Sequence, residues 1–164
     1  MTKEQYQNLT EFLRKDDKKK NAVVWLNRIL TTIVFVTYPL YLLFLLWEKE
    51  VWLAQAIIVP LDSFFAVSFV RYLINAKRPY EKFDLLPVLE KDTKGKSFPS
   101  RHVFSVFIIA MTVFYTFPCV GIALMVIGVL LGVIRVVGGV HEPKDVVAGA
   151  LVGVLCGLIG YYWI

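Results

Sequence analysis

The chain has two histidines, and each stands beside arginine at the edge of an apolar run. His141 lies in Arg135-Val-Val-Gly-Gly-Val-His141-Glu142-Pro143-Lys144-Asp145. His141 and Asp145 are four apart, so across a first helical turn the carboxylate can reach one imidazole nitrogen. That holds one tautomer and leaves the other nitrogen free to attack. His102 closes Ser97-Phe98-Pro99-Ser100-Arg101-His102, where Ser100 suits a helix N-cap and the amides after it would point at an anion. Arg71 and Arg78 are seven apart, two helical turns, which predicts a shared face before Pro79 ends the helix. Singly, each group has an ordinary reading as a structural pair, a capped helix start or a snorkelling arginine. As a set they match phosphoryl transfer, which needs a positive cradle for the equatorial oxygens. Arg71, Arg78 and Arg135 supply forked donors, Ser100 adds hydrogen bonds, and two histidines can divide the roles of nucleophile and general acid. No carboxylate or Cys/His set has metal-ligand spacing, so the expected chemistry is metal-independent and needs no cofactor.

The elements that must carry these residues are membrane helices. Of 164 residues, 57% are apolar and 19% charged, and the mean hydropathy is +0.62. A soluble domain is nearer half apolar and a quarter charged. A span needs about 20 mostly apolar residues. Five segments qualify: Ala22–Trp47, Val51–Ile74, Ser100–Phe117, Cys119–Val137 and Pro143–Ile164. The expected fold is therefore all-α, an integral membrane bundle of about five spans. Residues 1–21 form a basic amphipathic arm, with Lys3–Arg14 able to lie in the interface as a helix or to stay a solvated arm. Residues 22–164 form one membrane-embedded domain. Cys119 and Cys156 read as small core residues.

Alternating the spans puts the arm, the Asn75–Phe98 loop and the Gly138–Glu142 link on one face, with nearly all arginine and both histidines. Net charge is +5, and the charges crowd the membrane-adjacent segments, which favours a bilayer and a lipid phosphate over nucleic acid. The basic run Arg14–Lys20 favours a cytoplasmic site, with the outer face left open because catalytic arginines bias the count. Gly149, Gly153 and Gly157 line one face of the last span, for packing inside the bundle or for a homodimer. Asp62, mid-span, reads as turned away from Arg71, towards another span or a ligand.

The motifs resemble those of the type 2 phosphatidic acid phosphatase family, which shares a fold with bacterial acid phosphatases and vanadium haloperoxidases. That family's pattern is Lys-x6-Arg-Pro, Pro-Ser-Gly-His and Ser-Arg-x5-His-x3-Asp. The chain reads Arg71-x6-Arg78-Pro79, Pro99-Ser100-Arg101-His102 and Ile134-Arg135-x5-His141-x3-Asp145. The resemblance implies that His141 attacks phosphorus, Asp145 orients it and His102 protonates the leaving oxygen. It implies that Arg71, Arg78, Ser100, Arg101 (through its amide) and Arg135 bind the phosphoryl oxygens. Arg71, Arg101 and Ile134 depart from the pattern, and Ile134 removes a hydroxyl donor. The implied activity is hydrolysis of phosphatidic acid, phosphatidylglycerol phosphate or a polyprenyl diphosphate. Phosphotransfer to another lipid and a catalytically impaired lipid binder are the alternatives.

Overall fold

The computed structural model describes every residue except Glu90, Asp92 and Ile164. Among these residues seven helices follow one another: α1 (Lys3–Arg14), α2 (Asp17–Trp47), α3 (Leu53–Ile74), α4 (Pro79–Phe83), α5 (Arg101–Thr116), α6 (Pro118–Val137) and α7 (Pro143–Tyr162). Among the described residues there is no strand. α2, α3, α6 and α7 are long and apolar enough to cross a bilayer. α5, the third expected span, has only 16 residues, about 24 Å at the usual rise. Its shortness fits its place. Val103, Phe104 and the whole run Val106–Val113 are buried, so α5 is the post around which the others stand.

The outer surface is apolar on all sides. Leu40, Leu43, Phe65, Phe69, Val129 and Leu155 each expose about half their surface or more. Such a surface needs an apolar solvent, which a bilayer provides. Tyr41 packs on Phe117, and Tyr115 on both Trp52 and Tyr161, at the end of the bundle away from the histidines. That arrangement suits an aromatic belt at the opposite membrane interface.

The glycine face of α7 is occupied within the chain. A Cβ on Gly149 would stand 2.5 Å from the Ser100 carbonyl oxygen, and one on Gly153 2.9 Å from that of Phe104. One on Gly157 would meet Met111 Cβ at 2.4 Å. Backbone thus packs on backbone between α7 and α5, and this face is not available for the homodimer that its spacing also allowed. Gly153→Ala is expected to destabilise the bundle by about 1–3 kcal/mol, read as a lower melting temperature in detergent.

Two further expectations change. Cys119 is exposed at the start of α6 and Cys156 is half-buried, so only the second touches the interior. Asp62 is exposed on the outer side of α3, in a shallow groove with Gln55, Ser63 and Gly160, rather than bonded to another span. The fifth expected span runs to Tyr162 in α7, and its last residue, Ile164, lies outside the described residues.

Candidate active site

The site begins where α3 ends. Asn75 adopts a left-handed conformation at φ 42°, and its N–H bonds back to the Arg71 carbonyl. The helix therefore stops four residues before Pro79, which instead opens α4. Arg71 and Arg78 consequently do not share a helix face, contrary to their spacing. They converge by another route. Arg71, buried in the last turn of α3, donates to the carbonyls of Lys96, Ser97 and Pro99. Arg78 stands before α4 and reaches back, Nε to Gly95 O at 3.1 Å and Nη1 to Val140 O at 3.3 Å. Both guanidiniums thus lace the loops before α5 and before α7.

Gly138 and Gly139 turn the chain out of α6, and Gly139 needs its freedom, with φ at 77°. The amides of Val140 and His141 bond to Arg135 O. His141 is 2% exposed. Its Nδ1 stands 3.5 Å from Asp145 Oδ2 and 3.4 Å from Ser97 Oγ. Ser97 Oγ donates to the same Oδ2 at 2.6 Å, and the Glu142 amide donates to it at 3.1 Å. Nδ1 therefore faces acceptors and carries the proton. Nε2 faces Arg78 Nη1, a donor, at 3.5 Å, and holds the lone pair. Burial pushes the His141 pKa down to about 4, against the pull of Asp145 and with help from Arg78. The ring is neutral near pH 7 and has an attacking electron pair.

His141 lines a cavity of about 600 Å³. Arg71, Arg78, Lys91, Lys94, Lys96, Arg101 and His102 line it too, together with the rings of Phe35 and Phe64. Among the described residues no carboxylate lines it. Arg101 is exposed, with its guanidinium over the Phe64 ring at 5.3 Å. His102 meets Thr31 Oγ1 through Nε2 at 3.1 Å.

Ser100, Arg135 and Asp145 stand behind this wall rather than on it. Ser100 occupies the N-cap position of α5 but makes no capping bond through its side chain. Its hydroxyl and Arg135 Nε are buried without a protein partner. Unpaired buried polar atoms are costly, and both of these belong to residues that the resemblance assigns to phosphate binding.

Residues 50–164 match the family model of the PAP2 superfamily. The chain belongs to that superfamily. One relative, the bacitracin transport permease protein BcrC of Bacillus licheniformis, is 36% identical over 86 residues. That stretch is 51% of this chain and 42% of the relative, so the match spans less than half of BcrC. The fold matches Aquifex aeolicus LpxE with a TM-score of 0.73 at 23% identity, over 96% of this chain and 92% of that one. It also matches the first transmembrane PAP2 type phosphatidylglycerolphosphate phosphatase from Bacillus subtilis, at TM-score 0.62 and 22% identity. There the coverage is 94% and 90%. The PAP2 fold thus accounts for nearly the whole chain, as a multi-pass membrane bundle.

Sequence reasoning missed Ser97, Thr31 and Lys91. Ser97 lay inside a quoted motif but was not assigned a role. Thr31 gave no signal, since it reaches His102 from 71 residues away on an apolar helix. Lys91 was one loop lysine among several.

Proposed function

We propose that the chain is a metal-independent lipid phosphatase working through a phosphohistidine. One observation carries the reading. His141, its Nε2 facing only Arg78 Nη1, lines a cavity whose wall also carries six cations and the rings of Phe35 and Phe64. An amphiphile with a phosphate head and an apolar tail complements such a lining. The Nε2 lone pair forms a bond to phosphorus as the bond from phosphorus to the lipid oxygen breaks. His102 gives that oxygen a proton. Water then attacks phosphorus as the phosphorus–nitrogen bond breaks, His102 takes the water proton, and inorganic phosphate leaves with His141 restored. Arg71, Arg78 and Arg135 offset the charge on the equatorial oxygens, aided by Ser100 and the Arg101 amide.

Phosphatidic acid, phosphatidylglycerol phosphate and a polyprenyl diphosphate all present this chemistry. One solved structure with this fold is a phosphatidylglycerolphosphate phosphatase, and one relative is a bacitracin transport permease. The test is phosphate release from these three lipids in detergent with EDTA present. Wild type is expected to release phosphate from at least one, and His141→Ala from none. Release that survives the substitution sinks the mechanism, and loss of release in EDTA sinks metal independence.

The basic run from Arg14 to Lys20, outside the cavity, supports a cytoplasmic site. The C-terminus then faces outward. A reporter after the last helix that is active only in the cytoplasm is expected to stay silent, and its activity would reverse the assignment.

Lys91 gives the site a pH limit. Burial, reinforced by Arg78, Arg135, Arg71 and Arg101, lowers its pKa to about 8. It is charged below that pH and neutral above it. KM for the anionic lipid is expected to rise as pH passes about 8. In Lys91→Met the KM is expected to be higher below that pH, to match wild type above it, and to show no such rise.

A further inference from the structure

The segment that carries His141 is held from outside by a helix that forms no part of the motifs. Tyr6 of α1 is fully buried, although most positions of α1 are exposed. Its hydroxyl donates to Gly139 O at 3.1 Å, across 133 residues. Its ring packs on Phe83 of α4 at 5.6 Å between centroids. Thr10, one turn on and also buried, donates to Tyr6 O and accepts from Arg14. A Cβ on Gly139 would stand 2.6 Å from the Tyr6 hydroxyl, so the contact and the positive φ both require glycine there. Burial raises the Tyr6 pKa to about 12, so the phenol keeps its proton and remains a donor.

Three other carbonyls of the same link are also held. Gly138 O accepts from the amides of Val88 and Leu89, Val140 O from Arg78, and Glu142 O from the Asp145 amide. Gly139 O is the link carbonyl that α1 holds, and it lies two residues from His141. The link has two glycines in sequence, and such a segment samples many conformations unless its backbone groups are engaged.

We propose that Tyr6 is a positioning residue, through which α1 straps the Gly138–Glu142 link and sets the direction of His141 Nε2. The proposal rests on the reading of His141 as nucleophile, but its structural half does not. Tyr6 does not line the cavity, and its side-chain bond and ring contact are to Gly139 and Phe83 and not to a phosphate-binding group. Loss of its hydroxyl therefore acts on the attack and not on binding.

The experiment compares Tyr6→Phe, which keeps the ring and its packing, with wild type and with Asn8→Ala on the exposed side of α1. Phosphate release from the preferred lipid and amide hydrogen exchange over residues 135–145 are both read in detergent. Tyr6→Phe is expected to lower kcat about five- to tenfold with KM changed less than twofold. Its exchange is expected to rise in the link but not in α5. Asn8→Ala is expected to match wild type in both. Unchanged exchange in Tyr6→Phe overturns the strap, even if no lipid substrate is found. Faster exchange with unchanged kcat overturns its catalytic consequence. A rise in KM equal to the fall in kcat, or an equal loss in Asn8→Ala, assigns the effect to general folding of α1 and overturns the positioning role. If wild type releases no phosphate from any lipid, the phosphatase reading fails while the exchange result still decides the strap.

Discussion

His141→Ala is expected to abolish phosphate release, by about 10⁴-fold or more, as loss of a covalent nucleophile does elsewhere. The structure makes the substitution a clean test. Asp145 keeps its bonds from Ser97 and the Glu142 amide, so no buried carboxylate is stranded. Arg78 keeps its bonds to Gly95 and Val140. The fold should survive with a melting temperature within a few degrees of wild type. Wild type quenched during turnover should carry a label that is stable in base and lost in acid, as a phosphorus–nitrogen bond is, and His141→Ala should carry none. The pH profile gives a second check. With the His141 pKa near about 4, the lone pair is free above that pH and is lost below it. The acid limb of kcat/KM assigned to this group should fall near pH 4 rather than near 6.5. The same shift has a stability consequence. The folded pKa is below the unfolded one, so the unfolded chain binds more protons between about pH 4 and 6.5. Stability from this group is present above that window and is lost as pH falls through it.

The helices were readable because apolar runs end at strong punctuation. Glu48-Lys49-Glu50 and Pro118 separate spans, and α6 and α7 start within one residue of the expected positions. Patterning failed where local conformation overrode it. Pro79 looked like a stop, yet a left-handed Asn75 had already ended α3 and freed Pro79 to begin α4. The seven-residue spacing of Arg71 and Arg78 was informative for a reason other than helical periodicity. The motifs bring all the predicted residues to one end of the bundle, though Ser100, Arg135 and Asp145 stand behind the cavity wall. What stayed hidden are contacts between distant segments. Thr31 with His102 and Tyr6 with Gly139 join positions 71 and 133 residues apart. Neither pair leaves a local trace, because a threonine in an apolar run and a tyrosine on an amphipathic helix are both unremarkable types.

The electrostatic layout explains why the site needs Asp145 where it is. Cations crowd the cavity, and His141 must remain neutral among them until it attacks. In the proposed mechanism, attack would place positive charge on the ring beside Arg78. A carboxylate on the far nitrogen offsets that charge without competing for the phosphate, since Asp145 is buried behind the ring and does not line the cavity.

Asp145→Asn isolates that charge. All three contacts of Asp145, from Ser97 Oγ, the Glu142 amide and His141 Nδ1, fall on one oxygen, Oδ2. An amide can place its carbonyl oxygen there and keep both donors and the Nδ1 proton in position. The tautomer and the fold are then preserved, and only the negative charge is lost. Two unit charges about 4 Å apart at an effective dielectric of 20 interact by about 4 kcal/mol. If that much is gained only as the ring becomes charged, kcat should fall about 10³-fold. KM should stay level or fall, because removing a negative charge near the cavity favours an anionic substrate. That combination separates the charge from a structural role, which would raise KM and lower the melting temperature. A kcat within tenfold of wild type, with KM unmoved, would mean that Ser97 alone holds the ring and that the carboxylate charge contributes little to the attack.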